Sequence, residues 1–422
     1  GAVHVLFLKP WPATGSVSFE FPGDTRPEAS LLYTADLELT LTSGTSLADD
    51  VVVKVQDAGT GTATGGGVDY TLPLTEVTFP AGSTSGTKKS FQFTLAANDR
   101  LVEGNETVNI QFAGVFPAGS DTISLSGGNH EANLIDDDSA SISIASSDTA
   151  TEPGGAQTTD VILTITAVGT GTAALDRNVT VDAVDAGGGT ATSGTDYTPI
   201  GTQTLTFPSG SPSGTTRTVT LTPNNDLVVE PAETVNLRLQ NRFGPASLGT
   251  TASTVTIGDD DSATLSIQTS DTATEPGGAQ TTQVTLTISG SGSGTGSLST
   301  AVTADVVDAS GGTATSGTDY STFGTQTVTF PVGAASGTTQ SVSLTPTNDL
   351  LVETNETVRL SLQNVSGSAT LGAVLSTVTI SEDDTASLSI QATDSATEAG
   401  GAQTTDVSLT LSGSGSGTAA LA

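Results

Sequence analysis

One acidic motif, written three times, constrains this chain more than any other feature. Asn98-Asp99 with Glu103 and Glu106-Thr107-Val108 is repeated as Asn225-Asp226 with Glu230 and Glu233-Thr234-Val235, and as Asn348-Asp349 with Glu353 and Glu356-Thr357-Val358. An acidic triplet follows each copy: Asp136-Asp137-Asp138, Asp259-Asp260-Asp261 and Glu382-Asp383-Asp384. Three copies of one pattern read as three copies of one cation site, held by a repeating scaffold.

The repeat extends beyond the motif. Glu28, Glu152, Glu275 and Glu398 stand 124, 123 and 123 residues apart, each four residues after an Asp. Self-similarity at a fixed period is the mark of a tandem array. It divides the chain into an N-terminal strand or linker (1–14), units at 15–138, 139–261 and 262–384, and a partial unit at 385–422 with sequence for two strands. Within 139–261 the alternating segments are Ser141–Ile144, Asp160–Ala167, Asn178–Ala183, Thr202–Phe207, Thr216–Thr222, Thr234–Leu239 and Thr254–Ile257. Seven short β-branched runs separated by Gly, Ser, Pro and Asn clusters, with no helical period, predict an all-β fold: tandem seven-stranded antiparallel β-sandwiches. Tyr70, Tyr197 and Tyr320 end the fixed loop Gly-Thr/Val-Asp-Tyr and are expected to pack against the sandwich edge.

Charge narrows the function. With 45 Asp and Glu against 11 Lys and Arg, nucleic acid and anionic membranes are not expected as partners, because phosphate contacts need Lys and Arg. Absence of cysteine removes disulfides, thiolate metal sites and Cys nucleophiles, so thin-cored domains need another staple. No apolar run reaches the length needed to span a bilayer, so direct membrane insertion is not expected.

Eight acidic positions recur per unit. They are Glu28, Asp69, Asp99, Glu103, Glu106, Asp136, Asp137 and Asp138; then Glu152, Asp196, Asp226, Glu230, Glu233, Asp259, Asp260 and Asp261; then Glu275, Asp319, Asp349, Glu353, Glu356, Glu382, Asp383 and Asp384. The step from the Asp-Tyr loop to the Asn-Asp motif is 30 residues in every unit. Alternate loops of an antiparallel sandwich gather at one end, where so many carboxylates repel each other and need a counter-ion. Oxygen ligands in this number, without His or Cys, suit Ca²⁺, with Mg²⁺ second and room for more than one Ca²⁺ per site. The bland alternative is that such loops merely solvate the surface; recurrence at matched offsets favours the metal.

The order Glu, Gly-Thr-Asp-Tyr, Thr-Phe-Pro-x-Gly, Asn-Asp-x3-Glu-x2-Glu-Thr-Val and Thr-Val-Thr-Ile-x-Asp-Asp-Asp is similar to the Calx-beta domain, over residues 15–384 three times. That resemblance implies immunoglobulin-like sandwiches with Ca²⁺ at their distal loops, bound by the eight positions of each unit. The chain departs from the exchanger-type pattern at Asn98, Asn225 and Asn348, where that pattern has Asp, and at Glu382, a longer arm in the first triplet position. Residues 1–8 resemble the end of an FG-GAP blade; an edge strand or linker describes them equally.

Two histidines, His4 and His130, lie outside the repeated motifs, so no Ser-His-Asp triad is expected, and His130 reads as a loop residue. Repeated carboxylate pairs without an aromatic cleft do not suggest glycoside hydrolysis. The expectation is a non-enzymatic, extracellular, calcium-stiffened stalk, fibre or filament of a bacterial cell surface or adhesion protein. Its partners would be calcium ions, other surface proteins, or copies of itself completing the partial unit head to tail. The alternatives are a calcium-sensing regulatory module and a spacer of a larger membrane protein or enzyme.

Overall fold

The structure is a computed structural model that describes residues 11–422. The expected strand Ala2–Leu8, its FG-GAP resemblance and His4 lie outside the described residues. Within them the chain is strand and turn, apart from single 3₁₀ turns at Glu152–Gly154 and Glu275–Gly277.

The period-2 pattern does what it encodes. Along Gln157–Thr166, Thr159, Val161 and Leu163 are buried while Thr158, Asp160, Ile162 and Thr164 point outward. Side chains that alternate in this way give each sheet one apolar face, and two such faces must cover each other. In the middle repeat one sheet has the order Thr216–Leu221, Gln157–Thr166, Ser139–Ile144, Ser247–Leu248. The facing sheet has the order Ser147–Thr151, Ala252–Gly258, Glu233–Phe243, Val179–Asp185, Gln203–Phe207. The third repeat follows the same plan, and the first has two five-stranded sheets.

The seven segments read from the sequence are all strands, but the first is divided between the sheets. Ser139–Ile144 pairs antiparallel with Gln157–Thr166, and then Ser147–Thr151 crosses over to pair parallel with Ala252–Gly258. The antiparallel expectation therefore fails along this edge. A strand that changes sheets arrives beside the last strand running in the same direction.

Buried side chains form three separate cores, each centred on the Phe of Thr-Phe-Pro: Phe79, Phe207 and Phe330 are wholly excluded from solvent. In the first core His130 corrects the loop assignment. It opens the strand His130–Ile135, is buried, and lies between the Tyr33 hydroxyl (2.7 Å to Nε2) and the Phe21 carbonyl (2.9 Å to Nδ1). Its neighbours Phe19 and Tyr33 supply the apolar walls.

Beyond the third repeat, Thr385–Ile390 and Val407–Ser412 form an antiparallel hairpin with Leu388, Ile390 and Val407 exposed. The next strand, Ser416–Leu421, does not extend that hairpin. It pairs parallel with Asp349–Val352 of the third repeat. The same ribbon joins Ala174–Leu175 to Leu101–Val102 and Ser293–Leu298 to Asp226–Val229. Every repeat is thus stitched to the one before it through the strand inside the Asn-Asp motif.

Truncating a fully buried aromatic side chain removes its transfer energy and leaves a cavity. Phe207→Ala is expected to destabilise the middle sandwich by about 3–5 kcal/mol. Residue-resolved hydrogen exchange in urea checks this; equal protection of the three cores in the variant would contradict it.

Candidate metal centre

Four chain segments converge at one end of each sandwich. The Glu at the end of the divided strand, the Asp-Tyr loop, the Asn-Asp motif and the triplet at the exit of the last strand bring their carboxylates together in two groups. In the first repeat Glu28 meets Asp136 and Asp137, and Asp69 meets Glu103 and Glu106, with oxygens of each group within 4.8 Å of one another. The second repeat has the same arrangement with Glu152, Asp259 and Asp260, and with Asp196, Glu230 and Glu233. In the third, Glu275, Glu353 and Glu382 converge, while Glu356 is hydrogen-bonded to Asp319.

The remaining positions divide their work. Asp99, Asp226 and Asp349 turn their Oδ1 back to accept the N–H two residues on, each at 2.7 Å. That local turn places the Asp99 and Asp226 backbone N–H groups against Glu28 and Glu152. The first triplet residue braces the motif: Asp136 Oδ2 accepts from Glu103 and Gly104 N–H, and Asp259 Oδ2 accepts from Glu230 N–H. Glu382, despite its longer arm, accepts from Glu353 N–H at 2.9 Å and Asp384 N–H at 2.6 Å. Two of the asparagines that replace an acid serve the middle triplet residue, while Asn348 Nδ2 donates to Ser414 Oγ at 3.4 Å. Asn98 Nδ2 donates to Asp137 Oδ2 at 3.2 Å, and the Asn225 amide, turned with Nδ2 toward Asp260, lies 3.1 Å from its Oδ1. An amide there removes one negative charge and adds a donor.

The tyrosines hold the Asp-Tyr loop from behind. Tyr70, Tyr197 and Tyr320 are buried, and their hydroxyls donate to Asp57, Asp185 and Asp308. The edge-packing expectation thus acquires a polar tie that keeps Asp69, Asp196 and Asp319 over the cluster.

The electrostatics are strained throughout. Burial first, and then the neighbouring carboxylates Asp69, Glu106 and Asp99, push Glu103 up to about 8. Burial with the charges around them raises Glu28, Glu230 and Glu275 to about 7. Glu152 is also raised to about 7, and Asp261 to about 6, in both cases chiefly by burial. Several oxygens are both buried and without a hydrogen-bond partner: Glu152 Oε2, Glu233 Oε2, Glu275 Oε2, Glu356 Oε2 and both oxygens of Asp261. Glu152 and Glu275 are only 5% and 8% exposed. Buried carboxylate oxygens without donors are costly unless a cation faces them. All-oxygen donors of this number and charge fit a hard divalent ion, and Ca²⁺ better than Mg²⁺.

Part of each cluster comes from the following repeat, which reading the units singly misses. Val168 N–H donates to Asp138 Oδ1 (2.6 Å), Ser291 Oγ to Asp260 Oδ2 (2.7 Å), and Ser414 Oγ to Asp383 Oδ2 (2.8 Å). These groups sit on Gly-rich turns that lie directly over the Asn-Asp motif. At Gly292, with φ +139°, a Cβ would come within 2.1 Å of the Asp226 carbonyl oxygen; at Gly169 it would meet that of Asp99 at the same distance. The glycine pairs Gly169/Gly171, Gly292/Gly294 and Gly415/Gly417 recur at the repeat period, and that was the available signal.

Known proteins supply an independent comparison. The Calx-beta domain model matches residues 15–139, 136–261 and 267–384. No curated protein sequence matches the chain. Similar solved structures include calcium binding domain CBD12 of CALX1.1, 16% identical over 57% of this chain and 98% of that one, with a TM-score of 0.24. The apo-form Calx CBD1 domain is 23% identical over 29% of this chain and 97% of that one, with a TM-score of 0.24. An I-band fragment of titin is 10% identical over 89% and 98%, with a TM-score of 0.25.

The raised carboxyls fix the pH response of the metal-free protein. They bind protons more tightly folded than unfolded, so the stability this confers is complete below their ordinary value of 4.5 and is lost as pH rises through about 7 to about 8. With chelator present, the melting temperature is expected to fall as pH rises through that window. A level or rising melting temperature would contradict the crowding.

Proposed function

The chain belongs to the Calx-beta domain family, whose model matches it three times in tandem, and from that membership and its acidic loops we propose that it is a calcium-binding, non-catalytic array that stiffens into a stalk, fibre or filament on the outside of a bacterial cell. The grouping of carboxylates in each repeat, with buried carboxylate oxygens that no donor reaches in the second and third, carries the calcium assignment. The eight recurring positions of each unit are its proposed ligands, either directly or, for the bracing Asp136, Asp259 and Glu382, through the oxygens' remaining lone pairs. Units at 15–138, 139–261 and 262–384 are the proposed modules.

The structural role follows from where the clusters sit. Each one lies at the seam between successive sandwiches, and its triplet leads directly into the first strand of the next. A cation there neutralises charge on one repeat while the next repeat's turn rests on the same triplet. Binding and alignment of the modules are thereby the same event. Millimolar calcium outside cells would keep such sites filled, which is the reason for the extracellular assignment.

A ligand that binds only the folded state stabilises it by about 2.7 kcal/mol at a hundredfold excess over its Kd. Chelation is therefore expected to lower the melting temperature of every repeat and to broaden the small-angle scattering profile from that of a rod. Identical melting and scattering with calcium and with EGTA would overturn the proposal. Glu230→Gln is expected to weaken calcium binding at the second repeat while raising the stability of the metal-free protein at pH 8, because one repelling charge is gone. Calorimetric titration and melting measure the two effects, and a variant that loses stability in both states would contradict the assignment.

A further inference from the structure

The seams share a plan but not all their side chains. At the first, Arg177 of the second repeat reaches back to the first repeat's cluster, and its Nη2 donates to Glu106 Oε1 at 2.9 Å. The equivalent position at the next seam is fixed by the ribbon. Asp176 N–H donates to the Val102 carbonyl and Ser299 N–H to the Val229 carbonyl, each at 3.1 Å, so Thr300 stands where Arg177 does. Its sandwich partner would be Glu233, which keeps Oε2 buried and without a hydrogen-bond partner, as does Glu356 in the third repeat. Glu106, Glu233 and Glu356 are each set against the carboxyl of the Asp of its Asp-Tyr loop: Asp69, Asp196 and Asp319. The neighbouring repeat brings a guanidinium to the first site and none to the second. Arg177 also lies 3.6 Å from Asp176 of its own repeat, where the second seam has Ser299, so the difference is a directed contact to Glu106 and not a net charge.

A guanidinium keeps its charge at every relevant pH and binds a carboxylate through charge-assisted hydrogen bonds. At Glu106 it supplies part of what a metal supplies elsewhere, and it does so from across the seam. Arg177 is about half exposed, 48%, against 11% for the Glu106 side chain, so the contact is partly screened and its effect is modest.

We propose that Arg177 is a built-in counter-ion: it competes with calcium for Glu106 and gives the first seam a metal-independent contact that the second seam lacks. This rests on the calcium reading above. The first seam then responds less to calcium than the second.

Hydrogen–deuterium exchange of the full chain, titrated with calcium from a chelated start, reads each seam separately through its ribbon segments, 101–102 and 226–229. In chelator the first ribbon is expected to be protected and the second to exchange faster. Arg177→Ala is expected to reduce protection of the first ribbon in chelator by about two- to tenfold and to lower the calcium midpoint of that seam by a similar factor. Arg177→Lys, which keeps the charge but not the fork, should restore part of both. Thr300→Arg should protect the second ribbon in chelator and raise its calcium midpoint. If Arg177→Ala changes neither quantity while calcium still protects the second ribbon, the counter-ion role is overturned and the calcium reading stands. If calcium alters no ribbon in any variant, the calcium reading is overturned, and protection in chelator still decides whether Arg177 holds the first seam.

Discussion

Like charges held close together in loops that water reaches poorly are the constraint on which this structure turns. A carboxylate repels its neighbour weakly in water, but the repulsion grows as burial lowers the effective dielectric. Here burial is the leading cause of every raised carboxyl in the clusters, and neighbouring charge comes after it. The sandwich cannot relieve this by spreading its loops. Tyrosine ties hold the Asp-Tyr loop, the first triplet residue braces the Asn-Asp motif, and the ribbon anchors that motif to the next repeat. The scaffold therefore holds repelling groups in place, and a proton or a cation is what relieves them.

The same ties explain why cluster and seam are inseparable. The strand inside the Asn-Asp motif belongs to neither sheet of its own sandwich among the described pairings; its partner lies in the following repeat. An aspartate at its start and a glutamate just past its end, Asp226 and Glu230 in the second repeat, belong to the acidic cluster. The carboxylates and the following repeat are thus tied to the same strand, and anything that fixes one constrains the other.

Much of this was legible in the residues. Alternation of β-branched positions located all seven principal strands of the middle repeat, and matched offsets picked out the acidic positions that the fold brings together. What escaped detection had physical reasons. Asp226–Val229 pairs with another repeat and buries only Val229, in that repeat's core, so it carries no period of its own. The division of the first strand depends on a change of sheet at Ala145–Ser146, which leaves alternation intact on either side. Arg177 is one residue in one seam, and repetition cannot reveal what is not repeated. His130 was misassigned because a Gly-Asn pair precedes it, whereas its burial is decided by Tyr33 and Phe19, distant in sequence.

The ribbon also gives the array a polarity. Each repeat contributes the motif strand, and its successor contributes the covering strand and the glycine turn, never the reverse. A repeat is consequently finished by what is synthesised after it. Growth from the amino end leaves only the newest module incomplete, and every older one is already closed by its younger neighbour. Cutting the array in two is likewise unequal: the amino-side piece is left with an uncovered acidic end, while the carboxy-side piece presents only a loose covering strand.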